Sequence, residues 1–366
     1  MKRKKLLMLV SIICLALILV ALPLVAACGE ETPPAEEEEE EAPPAGEEEE
    51  EAPETFHLTV VSGMPEGHAG DLELEYWVTE LEERTGGRVT CEVYLGTLGS
   101  PAEFYDMVKE GVIDVMSMGD AWAPAQFPIY AVNQLPFTYP NWMVLSAVLD
   151  ELYYAGYFTD VEAFKLLYLK PTEFMFPFFT EKKVTKLADF SGLVIRPPGG
   201  PLFSATVEAL GATAKSLPGS ETYMALQTGQ VDGAITGAQN AVGRKFYEVC
   251  KYAITDAPVF GGSFFMIMNL DTWNSLPCEI QQIIDELDRE TYYYFLRGTM
   301  EQLEEQWAIC EAGGVELYTI GATEFARWEA ACADVVGDWA ASLDAEGMPG
   351  TEIVEMVRDI IARYTQ

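Results

Sequence analysis

The 366-residue chain carries 59 acidic against 22 basic residues, a formal net charge of −37. So acidic a polymer repels phosphate backbones, which excludes a nucleic-acid partner. Its two histidines are His57 and His68, and GxSxG, HExxH, P-loop, EF-hand and GxGxxG patterns are all missing. The sequence therefore indicates neither a catalytic centre nor a metal or cofactor site.

Met1–Lys5 holds four basic residues and an apolar run from Leu6 to Ala27 follows. Residues 1–27 thus read as a secretory signal, a charged n-region before an h-region. The run ends in Val25-Ala26-Ala27-Cys28, which resembles the lipobox of bacterial lipoproteins. That resemblance implies that Cys28 is diacylated and becomes the new N-terminus, a stable lipid anchor in the membrane. The alternative is an uncleaved span, since about 20 apolar residues cross a bilayer. Either way the remainder is expected outside the cytoplasm. Gly29–Glu54 is almost entirely Glu, Pro, Ala and Gly, with 14 Glu, and has nothing to bury. Residues 28–54 are read as a lipidated cysteine with a disordered tether, its like charges extending it to on the order of 80–90 Å.

Beyond the tether 18 Lys+Arg stand against 45 Asp+Glu, so a basic residue in a cleft would stand out. The remaining ~310 residues suffice for two domains with sizeable cores. Cys91, Cys250, Cys278, Cys310 and Cys332 are odd in number and lack CxxC spacing, so no disulfide framework is indicated.

Phe56–Gly63 reads as a strand, and Leu74, Trp77, Val78 and Leu81 repeat at helical spacing up to Gly86-Gly87. Arg88–Tyr94 alternates, with Val89, Cys91 and Val93 on one face. Ser100-Pro101-Ala102-Glu103 forms a capping box for a helix that stops at Gly111, and Val112–Met118 reads as a buried strand. A like unit recurs. Leu193–Ile195 is a strand, Leu202–Leu210 a helix, and Ala212–Leu217 a strand. Ser220 then caps a helix ending at Gly229, and Val231–Thr236 is a strand. Gly111-Val112-Ile113-Asp114 matches Gly229-Gln230-Val231-Asp232 in pattern, which points to two α/β lobes built alike, with a cleft where strand C-termini meet. From Asp271 the chain turns helical. A helix from Glu279 to roughly Gly313, about 50 Å long, would run behind both lobes, and helices near Glu324–Ser342 and Thr351–Tyr364 close the chain.

Arg196 ends the Leu193–Ile195 strand before a Pro-Gly turn. Its guanidinium offers a bidentate fork for a carboxylate; a structural ion pair with one of the many acids is the other reading. Gly119-Asp120-Ala121-Trp122 follows a strand end and should face the cleft. Trp122 would stack on a ligand or pack at the hinge. Asp120, if ionised, would suit a hydroxyl or amine rather than a carboxylate.

Several segments, in order, resemble the substrate-binding receptors of TRAP transporters, the DctP-like family, over essentially all of residues 55–366. They are Thr85-Gly86-Gly87-Arg88-Val89, Gly111–Asp114, Leu135-Pro136-Phe137, Phe190–Arg196, Ala225–Gly233, Lys245–Val249, and Trp273 with Leu276-Pro277. The resemblance implies a two-lobed periplasmic-binding-protein-like fold of α/β class with a long helix spanning both lobes. It also implies capture of a small organic acid, handover to the TRAP permease subunits in the membrane, and no enzymatic activity. Arg196 occupies the position of the family's carboxylate-binding arginine. Where sialic-acid receptors place a second arginine this chain has Phe176, and where they place an asparagine it has Thr236, so a less polar acid is expected. His68 lies in the first strand–helix loop, a position that lines the cleft in the family.

The expected lobes are 55–173 with about 262–300, and 174–261 with about 301–366. The expected contacts are Arg196, Thr236, Phe176, Trp122, Gly119, Asp120 and His68. A ligand-sensing ectodomain and a secreted enzyme are the competing readings.

Overall fold

The computed structural model describes residues 54–63, 69–99, 101–119 and 125–365. Cys28, the tether and the Ser100 side of the expected capping box lie outside the described residues. In chain order the first elements are β1 (Phe56–Ser62), α1 (Ala69–Arg84), β2 (Val89–Leu95), α2 (Pro101–Lys109), β3 (Val115–Gly119), α3 (Trp142–Tyr154) and β4 (Phe164–Pro171). Next come β5 (Phe176–Phe179), β6 (Val194–Arg196), α4 (Pro201–Ala209), β7 (Thr213–Ala214), α5 (Thr222–Gln227), β8 (Gly233–Thr236), α6 (Ala238–Gly243) and β9 (Tyr252–Ile254). The chain closes with β10 (Ser263–Asn269), α7 (Leu270–Ser275), α8 (Cys278–Ala312), β11 (Glu316–Tyr318), α9 (Ala322–Ala331), α10 (Ala333–Ala345) and α11 (Gly350–Tyr364).

Two sheets form, ordered β2-β1-β3-β10-β4 and β11-β9-β5-β8-β6-β7. Each is covered on both faces, which is why its strands are apolar on both sides. In the first, Leu58 and Val60 face Trp77 and Leu81 of α1 and Ile284 of α8. Val61, Met116 and Phe265 face the opposite layer, with Leu145 and Leu149 of α3. In the second, Ile195 and Ile235 pack with Phe203 of α4 and Trp328 of α9, while Phe178 and Ala234 face Ala241 of α6 and Cys310 of α8. The fold is two-lobed α/β. The 35-residue α8 touches α1 and β4 of one lobe and α6 and β11 of the other.

The sequence repeat is a structural repeat. Gly111 and Gly229 adopt φ of 72° and 70°, a left-handed turn that favours glycine. Asp114 then accepts from the Thr59 N–H at 2.8 Å, and Asp232 from the Val194 N–H at 2.7 Å. In both lobes one carboxylate pins the neighbouring strand, Thr59 within β1 and Val194 at the start of β6, so helix exit and sheet are fixed together.

Six expectations need correction. Val112 is exposed and the strand begins only at Val115, because residues 112–114 complete the turn out of α2. Val93 is also exposed, since β2 is an edge strand. Ser220 caps nothing; a 3₁₀ turn over Gly219–Glu221 leads into α5 instead. The strand expected over Ala212–Leu217 shortens to Thr213–Ala214 at the other sheet edge. The helix expected over Glu324–Ser342 breaks at Cys332, because its two halves serve different cores: Trp328 enters the second lobe, whereas Val335, Trp339 and Leu343 join the first. Likewise α11 lies against α3 of the first lobe, while α10 touches both α11 and α4 of the second, so the last two helices do not belong to the second lobe alone.

Between α1 and α8, Asp288 is buried; its Oδ1 accepts from Trp77 Nε1 at 2.8 Å, and its Oδ2 meets no partner among the described residues. Burial pushes this carboxyl up to about 8. A raised carboxyl pKa means the folded state holds its proton longer than the unfolded one, so stability falls as pH rises between the ordinary value and about 8. Asp288→Asn keeps the acceptor for Trp77. Its melting temperature should match wild type near pH 4 and exceed it increasingly up to pH 8, read by thermal unfolding across pH.

Candidate ligand-binding cleft

The crossing between the sheets determines which strand ends meet. Gly119, the last residue of β3, lies opposite Phe264 of β10, which pairs in turn with Lys170 near the end of β4. From that edge the chain crosses through residues 172–175, beside a returning segment at 259–262. The Thr172 N–H donates to Gly262 O at 2.8 Å, Met175 N–H to Phe260 O at 3.0 Å, and Val259 N–H to Met175 O at 2.9 Å. On arrival Phe176 pairs with Thr236, the end of β8, and parallel β6 sets Arg196 beside Ala234. Gly119, Arg196 and Thr236 therefore end at the two sheet edges joined by this crossing, the place where α/β sheets bind ligands.

Arg196 is buried (6 % exposed) and extends to the α5–α6 side of its sheet. Its Nε and Nη2 donate to Leu217 O at 3.4 and 3.3 Å, and Nη2 also to Pro198 O at 3.2 Å. Among the described residues no carboxylate pairs with it, which removes the structural ion-pair reading. Burial first, and then the nearby Arg244 charge, lower its pKa to about 10. It remains a cation at neutral pH, held by carbonyl dipoles alone.

Thr236 is buried, and its Oγ1 accepts from Asn240 Nδ2 at 2.7 Å. Asn240 Oδ1 accepts in turn from Arg244 Nε at 2.8 Å. The carboxylate of Glu173, in the crossing, accepts from the Gln239 and Asn240 N–H groups at 2.7 and 3.1 Å. Desolvation pushes this carboxyl up to about 7. Its approach requires Gly237, where a Cβ would fall 1.9 Å from the Glu173 Cδ. Thr236, Asn240 and Arg244 thus form one chain anchored to the hinge.

Phe176 is a correction. Its ring stacks edge-on to Trp307 of α8, 5.3 Å between centroids, in line with Phe178 on the same face. It belongs to the second lobe's core rather than to a free apolar wall. His68, Asp120 and Trp122 lie outside the described residues. From the first lobe the cleft edge presents Lys170, buried and ion-paired with Glu73; burial lowers the lysine to about 7. A separate concavity of about 500 Å³ lies between α3, β4 and α8, lined by Asp150, Lys165, Asp285, Asp288, Arg289 and Tyr292.

Residues 61–342 match the bacterial extracellular solute-binding protein family 7, DctP. The chain belongs to this family. It is an extracytoplasmic solute-binding receptor, and two sheets joined by a crossing pair of segments are the architecture that task needs. The C4-dicarboxylate-binding periplasmic protein DctP of Rhodobacter capsulatus is 27% identical over 287 residues, 72% of this chain and 80% of that protein. A marine-metagenome TRAP solute-binding protein, crystallised with 3-hydroxybenzoate, superposes with a TM-score of 0.77 at 21% identity, covering 86% of this chain and all of that one (100%). A TRAP solute-binding protein from Rhodoferax ferrireducens, with copurified benzoate, gives a TM-score of 0.75 at 23% identity, covering 85% and 99%.

Sequence reasoning passed over Arg244, Asn240, Glu173 and the Lys170–Glu73 pair of this family 7 receptor. The scarcity of arginine that singled out Arg196 applied equally to Arg244, which directly precedes the Lys245–Val249 segment. Nothing local marks Glu173, whose role depends on the crossing. Gly237→Ala should displace the Glu173 carboxylate and cost at least about 2 kcal/mol, the scale of two charge-assisted hydrogen bonds. A lowered urea midpoint with an unchanged denaturant slope is the expected result.

Proposed function

We propose that this receptor binds a small organic carboxylate between its lobes and delivers it to TRAP permease subunits in the membrane. The observation that carries the reading is a buried arginine at a strand end in the cleft, free of any carboxylate among the described residues, in so acidic a chain. A desolvated cation without a counter-ion is unfavourable until an anion arrives, so the site is poised for one. Arg196 takes the ligand carboxylate in a bidentate fork, and Thr236 supports it from β8. Gly119, His68, Asp120 and Trp122 are the further ligand contacts in this reading, with Asp120 suited to a hydroxyl or amine. The aromatic acids held by the two solved relatives support a ligand with an apolar body.

Arg196→Gln keeps a donor for Leu217 O but removes the charge and the fork. It should weaken binding of every carboxylate ligand about 100-fold or more, as expected for two bonds of about 1.5–3 kcal/mol each. Titration calorimetry, with circular dichroism to verify the fold, measures this, and unchanged affinity would overturn the assignment.

Anchoring belongs to the same proposal. Cys28 carries the lipid, and the acidic tether holds the receptor off the membrane surface. Cys28→Ala should move the protein from the membrane fraction to the soluble extracytoplasmic fraction, read by immunoblot; retention in the membrane would favour an uncleaved span.

A further inference from the structure

Four of the receptor's arginines have acquired acids. Arg84 pairs with Glu80 and Glu290, Arg88 with Glu279, Arg327 with Glu324 and Arg363 with Glu151. Arg196 and Arg244 are different: both are at least half-buried, and among the described residues neither meets a carboxylate. They also flank one loop. Arg196 donates to Leu217 O, and the Arg244 guanidinium lies against Gly219, where a Cβ would stand 3.2 Å from its Cζ and Nη2.

Arg244 is held, not loose. Its Nε is fixed by Asn240, whose amide is fixed by Thr236 on one side and whose backbone N–H is fixed by Glu173. That leaves the two terminal nitrogens of the guanidinium as oriented donors without a side-chain acceptor among the described residues. One carboxylate satisfies one fork. A second guanidinium, positioned and unmatched beside the first, calls for a second oxygen acceptor on the ligand.

We infer that Arg244 is a second ligand-anchoring residue, and that the solute carries a hydroxyl or second carboxylate group besides the carboxylate taken by Arg196. This rests on the carboxylate reading above and narrows it. Arg244 sets specificity among acids, whereas Arg196 sets affinity for acids as a class.

The test compares matched acids on the full folded receptor by titration calorimetry: benzoate, 3-hydroxybenzoate and benzene-1,3-dicarboxylate, with butanoate, 4-hydroxybutanoate and butanedioate as the aliphatic set. In wild type, the second oxygen group should raise affinity at least tenfold in one set. In Arg244→Gln, which retains a donor for Asn240, that gain should fall below threefold. Arg244→Lys, which keeps the charge but not the fork, should restore part of the gain for the dicarboxylate and little for the hydroxy acid. A gain undiminished in Arg244→Gln overturns this inference and leaves the carboxylate reading standing. Wild-type protein that binds none of the six acids overturns the carboxylate reading and this inference with it.

Discussion

A guanidinium withdrawn from water with no carboxylate beside it is the constraint on which this receptor turns. With 45 acids beyond the tether, keeping all of them away from Arg196 is a demanding property of the fold. Arg84, Arg88, Arg327 and Arg363 have taken Glu80, Glu290, Glu279, Glu324 and Glu151. Among the described residues, the hydrogen-bond acceptors around Arg196 are carbonyl oxygens, those of Leu217 and Pro198. Carbonyl dipoles hold the guanidinium in place without neutralising it. The penalty for an uncompensated buried ion is several kcal/mol, so the packed layers on both faces of the second sheet must offset it. Binding an anion would return part of that energy, which ties the receptor's stability to its occupancy.

The second requirement is that the charged end stay in register with the hinge. Glu173 meets it by reaching from the crossing into α6, in space that only Gly237 leaves open. Motion at the crossing is therefore transmitted to Asn240, and from there to Thr236 and Arg244. Phe137 links the lobes independently: its backbone sits at φ 53°, its N–H donates to Val259 O, and its ring packs against Phe325 and Trp328. A bulky residue held in the left-handed region is strained, and the aromatic contacts in the second lobe keep it there. Residues 172–175 and 259–262 thus form the crossing beside which this aromatic plug and α8 tie the two lobes together.

How much of this was legible follows from how local each feature is. The Gly111–Asp114 and Gly229–Asp232 repeat could be read because glycine and aspartate act within a few residues of each other, on a neighbouring strand. The place of Arg196 at a strand end could be read because a strand end and a Pro-Gly turn are local signals too. Phe176 could not be placed, since Phe174 through Phe179 is apolar at nearly every position and period alone does not choose a face. The break at Cys332 was hidden for a different reason. The helical pattern runs continuously through it, and only the separate demands of two cores interrupt the helix. Arg244 was invisible as a neighbour of Arg196 because the two meet at the 217–219 loop, where one donates to Leu217 O and the other lies against Gly219, a tertiary event.

The lobes divide the electrostatic work unequally. At its cleft edge the first lobe presents Lys170 neutralised by Glu73, while the second presents two guanidiniums without acids. An anion therefore has reason to dock on the second lobe first. This asymmetry also answers a problem set by the whole chain. A body with so large an excess of acids repels an anionic solute at long range, so global steering works against capture. Screening limits that repulsion to about 8–10 Å at physiological ionic strength. Inside that distance the local field of Arg196 and Arg244 dominates, strengthened by the low polarisability around two half-withdrawn cations. Selective capture from dilute solution then depends on contact geometry at one edge of one sheet, and the acidic remainder of the surface serves solubility rather than binding.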